Sequence, residues 1–142
     1  MSEAERVAVV GAGIVGLAYA WSAAERGHRV CLVERSSHAC GASVRNFGMV
    51  WPVGQPFGPL RETALCSRER WLTLHAAGAV VADPCGSIHL AHRTDEWEVL
   101  TEYASLAREH HDDCELLNAE QVQRRSAFVR SDGLIGGLFS PT

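Results

Sequence analysis

The sequence contains no lysine, and all 13 of its basic residues are arginine. That absence excludes a Gly-Lys phosphate loop, a pyridoxal Schiff base and any lysine nucleophile. There is also no Cys-x-x-Cys pair. Cys31, Cys40, Cys66, Cys85 and Cys114 are odd in number and dispersed, which fits neither a disulfide framework nor a zinc site. No metal site is expected, and a reducing cytoplasm is the simplest compartment. Positive charge is in deficit, with 17 acidic residues giving a formal net charge of −4. Nucleic acid and anionic membranes would demand the opposite sign, so neither is an expected partner. A long apolar run is lacking as well. Val7 to Ala24 is uncharged, but three glycines interrupt it early, and Met1–Arg6 carries Glu3 and Glu5 against one arginine. Neither a membrane span nor a leader peptide is expected from that pattern.

What remains is an ordinary globular balance: 142 residues, 46% hydrophobic and 21% charged. That length suits one domain rather than two full ones. Arg6–Val10 is a short β-branched run of the kind found in a parallel sheet. Gly11-Ala12-Gly13 breaks it, and Ile14, Leu17, Ala18 and Trp21 then recur at helical spacing. The helix ends around Arg26, with Gly27 placed as its C′ residue. His28–Glu34 is a second apolar strand. A helix between two such strands implies a right-handed βαβ crossover.

After Arg35 the pattern loosens. Ser36–Pro59 is rich in glycine and proline and has no sustained period, so it reads as one long loop. Leu60–Ala77 is amphipathic, with Leu60, Ala64, Leu65, Trp71 and Leu72 as its expected buried stripe and Pro59 in its first turn. Gly86–Ala91, Cys114–Leu117 and Gly133–Ser140 read as strands. Thr94 is the expected N-cap of a helix whose first turn holds Asp95 and Glu96 and whose apolar face carries Trp97, Leu100, Ala104 and Ala107. Asn118 and Gln121 have capping-box spacing for a short last helix. The opening strands need neighbours to be covered, so the chain is expected to be the N-terminal part of something larger.

The sharpest signal is Gly11-Ala12-Gly13-Ile14-Val15-Gly16. Alone, G-x-G-x-x-G is weak. Here it has a strand before it, a helix after it, a second strand, and Glu34 closing that strand. Gly11 permits the sharp turn, Gly13 leaves room for a pyrophosphate, and Gly16 lets helix and sheet pack closely. The helix N-terminus offers unpaired N–H groups to phosphate. Glu34 lies 18 residues past Gly16, where a carboxylate accepts from ribose hydroxyls and repels a 2′-phosphate. FAD and NAD share this adenylate half. The Cys40–Met49 segment favours FAD, because its small residues, hydroxyl, guanidinium and amide suit a loop wrapped along an extended cofactor.

At these residues the sequence resembles the D-amino-acid oxidase-like flavoprotein family, which includes glycine and sarcosine oxidases. The resemblance lies in Val9–Gly16, in Val33-Glu34-Arg35 and in Gly41-Ala42-Ser43-x-Arg45-Asn46-x-Gly48, with a looser likeness through Leu116–Ser140. It implies an α/β architecture: a partial Rossmann-type βαβ FAD-binding domain over residues 1–80, and the start of an α+β substrate domain over 81–142. It also implies adenosine and pyrophosphate contacts at Gly11, Gly13, Ile14, Val15, Gly16, Glu34 and Arg35. Ser43, Arg45, Asn46 and Gly48 would lie towards the pyrophosphate and the isoalloxazine. The implied activity is hydride transfer to FAD from a small-molecule amine or amino acid. The Arg45–Pro52 stretch looks like members associated with aminophosphonate breakdown. Family members are longer, so no catalytic residue is assigned here.

Two alternatives stay open on sequence alone: an NAD-dependent dehydrogenase or flavoprotein hydroxylase, and a catalytically silent dinucleotide-binding module. The other chemistry-bearing residues have plainer readings. His110-His111-Asp112-Asp113 reads as a polar helix end and turn, because adjacent residues rarely converge on one ion. His89 and His92 have no evident relay partner. Cys40 reads as an inert small residue. Trp21, Trp71 and Trp97 read as core, and Trp51 lies in the irregular loop.

Overall fold

A computed structural model describes residues 4–142, so Glu3 of the acidic start lies outside the described residues. The chain divides into two compact units, one ending at Met49 and the other running from Val50 to Thr142.

The first unit is the expected βαβ motif. Strand β1 (Arg6–Val10) and strand β2 (Arg29–Val33) pair in parallel, Arg6 opposite Arg29 and Val10 opposite Val33. Helix α1 (Ile14–Glu25) makes the crossover. It stops where Gly27 takes a φ of 82°, a left-handed conformation that glycine adopts without steric penalty. Burial departs from expectation. No described side chain before Val50 is buried, and Val10 at 88% exposure and Val33 at 52% face solvent. Two strands and one helix cannot cover both faces of so apolar a sheet.

The second unit has a different sheet. Strands β3 (Ser87–Ala91), β4 (Glu115–Asn118) and β5 (Gly136–Ser140) pair antiparallel in the order β3-β5-β4. Helices α2 (Pro59–Ala76), α3 (Thr94–Glu109) and α4 (Ala119–Arg125) complete it. The central strand opens on two glycines for a steric reason. A Cβ on Gly136 would lie 2.7 Å from the Trp97 ring of α3, and one on Gly137 would lie 3.2 Å from Val122 of α4. Successive strand residues point to opposite faces, so the pair lets one helix close down on each. Leu117, Val122 and Leu134 form the core beside α4, with Ile88 and Phe139 packed on them. Leu138, Ala91, Ala104 and Ala107 are buried as well.

The long loop holds two short 3-10 turns, Ala42–Arg45 and Pro52–Gly54. Three details differ from the sequence reading. Arg93, not Thr94, is the N-cap of α3; the Glu96 carboxylate accepts from the Arg93 N–H at 3.1 Å and the His92 N–H at 2.9 Å. Strand β5 starts at Gly136 rather than Gly133, because Gly133 has a φ of 70°, which belongs to a turn. Leu60 is 60% exposed, and the buried residue of α2 is its neighbour Arg61, at 4%. The Arg61 guanidinium turns inward because it pairs with Asp112, and an ion pair with low solvent exposure displaces the leucine from that face.

Candidate dinucleotide site

The turn between β1 and α1 is built by local hydrogen bonds. Gly11, at a φ of 100°, donates its N–H to the Val33 carbonyl at 2.7 Å, which ties the turn to the end of β2. Gly16 allows the contact that follows. A Cβ there would lie 1.8 Å from the Gly11 carbonyl oxygen, so no larger residue fits without moving backbone. Gly13 caps α1 with no side chain of its own, and the first turn carries no acidic residue. The positive end of the helix is therefore not neutralised from within.

Two side chains converge on that end. The Ser43 hydroxyl accepts from the Ile14 N–H at 2.9 Å, which pins the Ala42–Arg45 turn to the start of α1. The Glu34 carboxylate accepts from the Ala12 N–H at 2.8 Å and the Ser36 N–H at 3.0 Å. The Ala12 N–H, then the Ser36 N–H, hold the Glu34 carboxyl below its ordinary pKa, so it stays ionised and acceptor-only at neutral pH. An ionised carboxylate has about four lone-pair positions, and two backbone donors leave acceptor capacity for hydroxyl groups.

Among the described residues, the N–H groups of Gly13, Val15 and Gly16 have no acceptor. Three open donors at an uncapped helix terminus fit a phosphate group. Asn46 turns inward on its own loop, its Oδ1 accepting from the Gly48 N–H at 3.2 Å, with Gly48 at a φ of 73°. Arg35 and Arg45 are exposed. Thus Gly11, Gly13, Ile14, Val15, Gly16, Glu34 and Ser43 meet around one turn, while Arg35, Arg45, Asn46 and Gly48 lie on the loop that follows β2. Cys40 lies 3.5 Å from the Ser36 hydroxyl through its Sγ.

A model of the FAD dependent oxidoreductase family matches residues 6–142. The chain belongs to that family. The fingerprint turn, the acidic end of β2 and the loop at Gly41–Gly48 all fall inside the match, and the family's dependence on FAD favours flavin over the nicotinamide alternative. Solved relatives agree in fold. Glycine oxidase from Bacillus cereus superposes with a TM-score of 0.82 at 27% identity, over 99% of this chain and 39% of that one. Glycine oxidase from Geobacillus kaustophilus gives 0.83 at 26%, over 96% and 39%. Among curated relatives, a D-amino acid dehydrogenase of Helicobacter pylori is 46% identical over 46 residues, 32% of this chain and 11% of its own. The bifunctional tRNA 5-methylaminomethyl-2-thiouridine biosynthesis protein MnmC of Acinetobacter baylyi is 49% identical over 51 residues, 36% of this chain and 8% of its own. This chain thus spans less than two fifths of the solved relatives' length.

Several sequence readings sit elsewhere. His89 is not isolated. The Trp51 indole N–H donates to its Nε2 at 3.3 Å, and the Ser87 hydroxyl lies 3.2 Å from the same atom. The signal for Ser87 was its two-residue spacing, which puts both side chains on one face of a strand. Asp112, read as part of a turn, pairs with Arg61 across 51 positions of sequence, a contact no local pattern announces. Among the described residues, no group of three potential ligands gathers to hold a metal ion, and no helix is long and apolar enough to cross a membrane. All five cysteines are free.

Proposed function

We propose that the turn between β1 and α1 binds the adenosine and pyrophosphate half of FAD, with Glu34 on the ribose and the N–H groups of Gly13, Val15 and Gly16 on phosphate. The observation that carries this reading is the convergence of three acceptor-free N–H groups with the Ser43 hydroxyl and the Glu34 carboxylate at one uncapped helix end. Arg35 joins the adenosine and pyrophosphate contacts, and Arg45, Asn46 and Gly48 lie towards the pyrophosphate and the flavin end of the same cofactor. Residues 1–80 go with the cofactor and 81–142 with the substrate domain in this reading. The change from a parallel pair to an antiparallel sheet between Val33 and Ser87 supports it, although the compact units divide at Met49 and α2 falls in the second.

In the whole protein the reaction is oxidation of an amine or amino-acid C–N bond, for which the bound flavin supplies the hydride acceptor. Family membership and the likeness to glycine oxidases support this substrate class. An aminophosphonate is the finer reading, supported by the Arg45–Pro52 stretch. The protein's own residues contribute binding and orientation: α1 fixes the phosphates, and Glu34 selects against a 2′-phosphate by charge. Cytoplasmic residence is supported by five unpaired thiols.

The test is an absorption spectrum of the protein loaded with FAD and then freed of excess. A flavin spectrum that travels with the protein, and is lost in Gly13→Val, supports the placement. Stoichiometric FAD retained by Gly13→Val overturns it.

A further inference from the structure

The segment Trp51–Phe57, at the start of the second unit, is strapped down within that unit by three ring stacks and a hydroxyl hydrogen bond. Trp51 stacks on His89 with ring centroids 5.5 Å apart and planes 22° from parallel, while its indole N–H donates to His89 Nε2 at 3.3 Å. The Tyr103 hydroxyl of α3 donates to the Val53 carbonyl at 3.1 Å. Phe57 stacks on Tyr103 at 5.4 Å and on His110 at 4.4 Å. Between these anchors Pro52 and Val53 are buried, and Gly54 admits the Trp51 ring, since a Cβ there would lie 2.5 Å from it.

One of these contacts depends on a proton. His89 Nε2 receives the indole N–H, so the ring must be neutral with its proton on Nδ1. Indole nitrogen is a donor only. Once Nε2 is protonated, two N–H groups face each other, and the bond becomes a repulsion with no tautomer to relieve it.

We propose that the Trp51–His89 contact is a pH-operated latch, closed when His89 is neutral and opened by its protonation, which frees the Trp51 end of the Trp51–Phe57 strap while Tyr103 and Phe57 hold the other end. The groups around His89 favour the neutral ring. Ser87 on β3 offers a hydroxyl, and Leu138 stands opposite on β5. The charges that follow β3 in sequence are committed elsewhere: Asp95 to Arg93, and Glu96 to Arg93 and the His92 and Arg93 N–H groups. Burial alone pushes the His89 pKa below its ordinary value of 6.5, so the latch is closed at neutral pH and opens on acidification below that value. The latch does not rest on the FAD reading.

The experiment is nuclear magnetic resonance of the full chain, titrated from pH 7.5 to 4.5. It follows the His89 Cε1–H signal and the Trp51 indole N–H signal, the latter assigned by its loss in Trp51→Phe. The expected result is one shared midpoint below 6.5 for both signals, with the indole N–H moving upfield and exchanging faster with water as His89 protonates. In His89→Gln, whose amide oxygen keeps an acceptor but cannot titrate, the Trp51 signal should stay constant over the same range. A Trp51 signal that ignores the His89 titration in the unmodified chain overturns the proposal, whether or not the variant folds. So does one that titrates unchanged in His89→Gln.

Discussion

The contact between Gly16 and Gly11 gives the sharpest test of the turn. A methyl group at residue 16 would sit 1.8 Å from the Gly11 carbonyl oxygen and 3.0 Å from its carbon. Comfortable heavy-atom contact begins at about 3.5 Å, so the turn or the axis of α1 must yield by roughly 1.7 Å in a packed structure. An alanine methyl has no rotamer to escape through, and the obstacle is backbone at a φ of 100°. Overpacking of this kind costs about 1–3 kcal/mol, and a backbone obstacle places Gly16→Ala at about 3. Alanine's helix propensity returns about 1 kcal/mol, which leaves a net loss of about 2. For a chain of this length that is a fall in Tm of about 4–8 °C.

The control is Gly13→Ala. There the new methyl meets only the Ser43 hydroxyl, at 3.1 Å, which need give by only a few tenths of an ångström and so keeps its bond to the Ile14 N–H. The backbone at Gly13, with a φ of −68°, already suits any residue. Its cost without cofactor is within about 0.5 kcal/mol, whereas its loss of FAD should be large if the methyl stands where the proposed placement brings phosphate. Thermal melts with and without FAD separate the two variants. Gly16→Ala melting with the unmodified protein would refute the packing argument, and Gly13→Ala binding FAD undiminished would refute the phosphate placement.

Other perturbations follow from single contacts. The Glu34 pKa is depressed below 4.5, so its stabilisation is complete above that pH and disappears as pH falls through the lower folded value; melts across pH 3–7 should show that acid loss diminished in Glu34→Gln. Arg61→Ala should cost about 3 kcal/mol by urea unfolding, because Asp112 is left charged and unpaired at low exposure. Arg61→Met with Asp112→Asn should recover most of it, since Arg61 Nε and Nη1 have no partners in any case. Asn118→Ala should cost about 1 kcal/mol, measured the same way, through loss of the Gln121 N–H bond at 2.9 Å.

What was legible in the sequence was local. Gly11 and Gly16 announce a turn because a left-handed φ at the first and a backbone contact at the second leave no other residue possible, and Asn118 with Gln121 announces a cap because both bonds span three positions. Period gave the helices and strands to within a few residues. The contacts that escaped are long-range: Arg61 with Asp112, Tyr103 with Val53, Trp51 with His89. Each joins residues tens of positions apart, and the first and last reverse a local inference. Arg61 is charged yet buried, its apolar neighbour Leu60 is exposed, and His89 is partnered although nothing adjacent in sequence could serve it. Periodicity ranks faces by polarity, so a buried ion pair inverts its answer.

The first unit carries the argument one step further. Its fingerprint is fully formed although none of its described side chains is buried, so side-chain burial does not hold the turn. Three hydrogen bonds do: Gly11 N–H to Val33, Ala12 N–H to Glu34, and Ile14 N–H to Ser43. Each net bond is worth about 1 kcal/mol, with more for the one to a carboxylate, and all three meet within four consecutive residues. The same small set that shapes the site also fixes the end of β2 and the start of the Ala42–Arg45 turn. A ligand bridging α1 and Glu34 would therefore stabilise the whole βαβ unit by linkage, in proportion to the logarithm of its concentration. On the proposed placement, that coupling would make FAD a structural element of this unit as well as its cofactor.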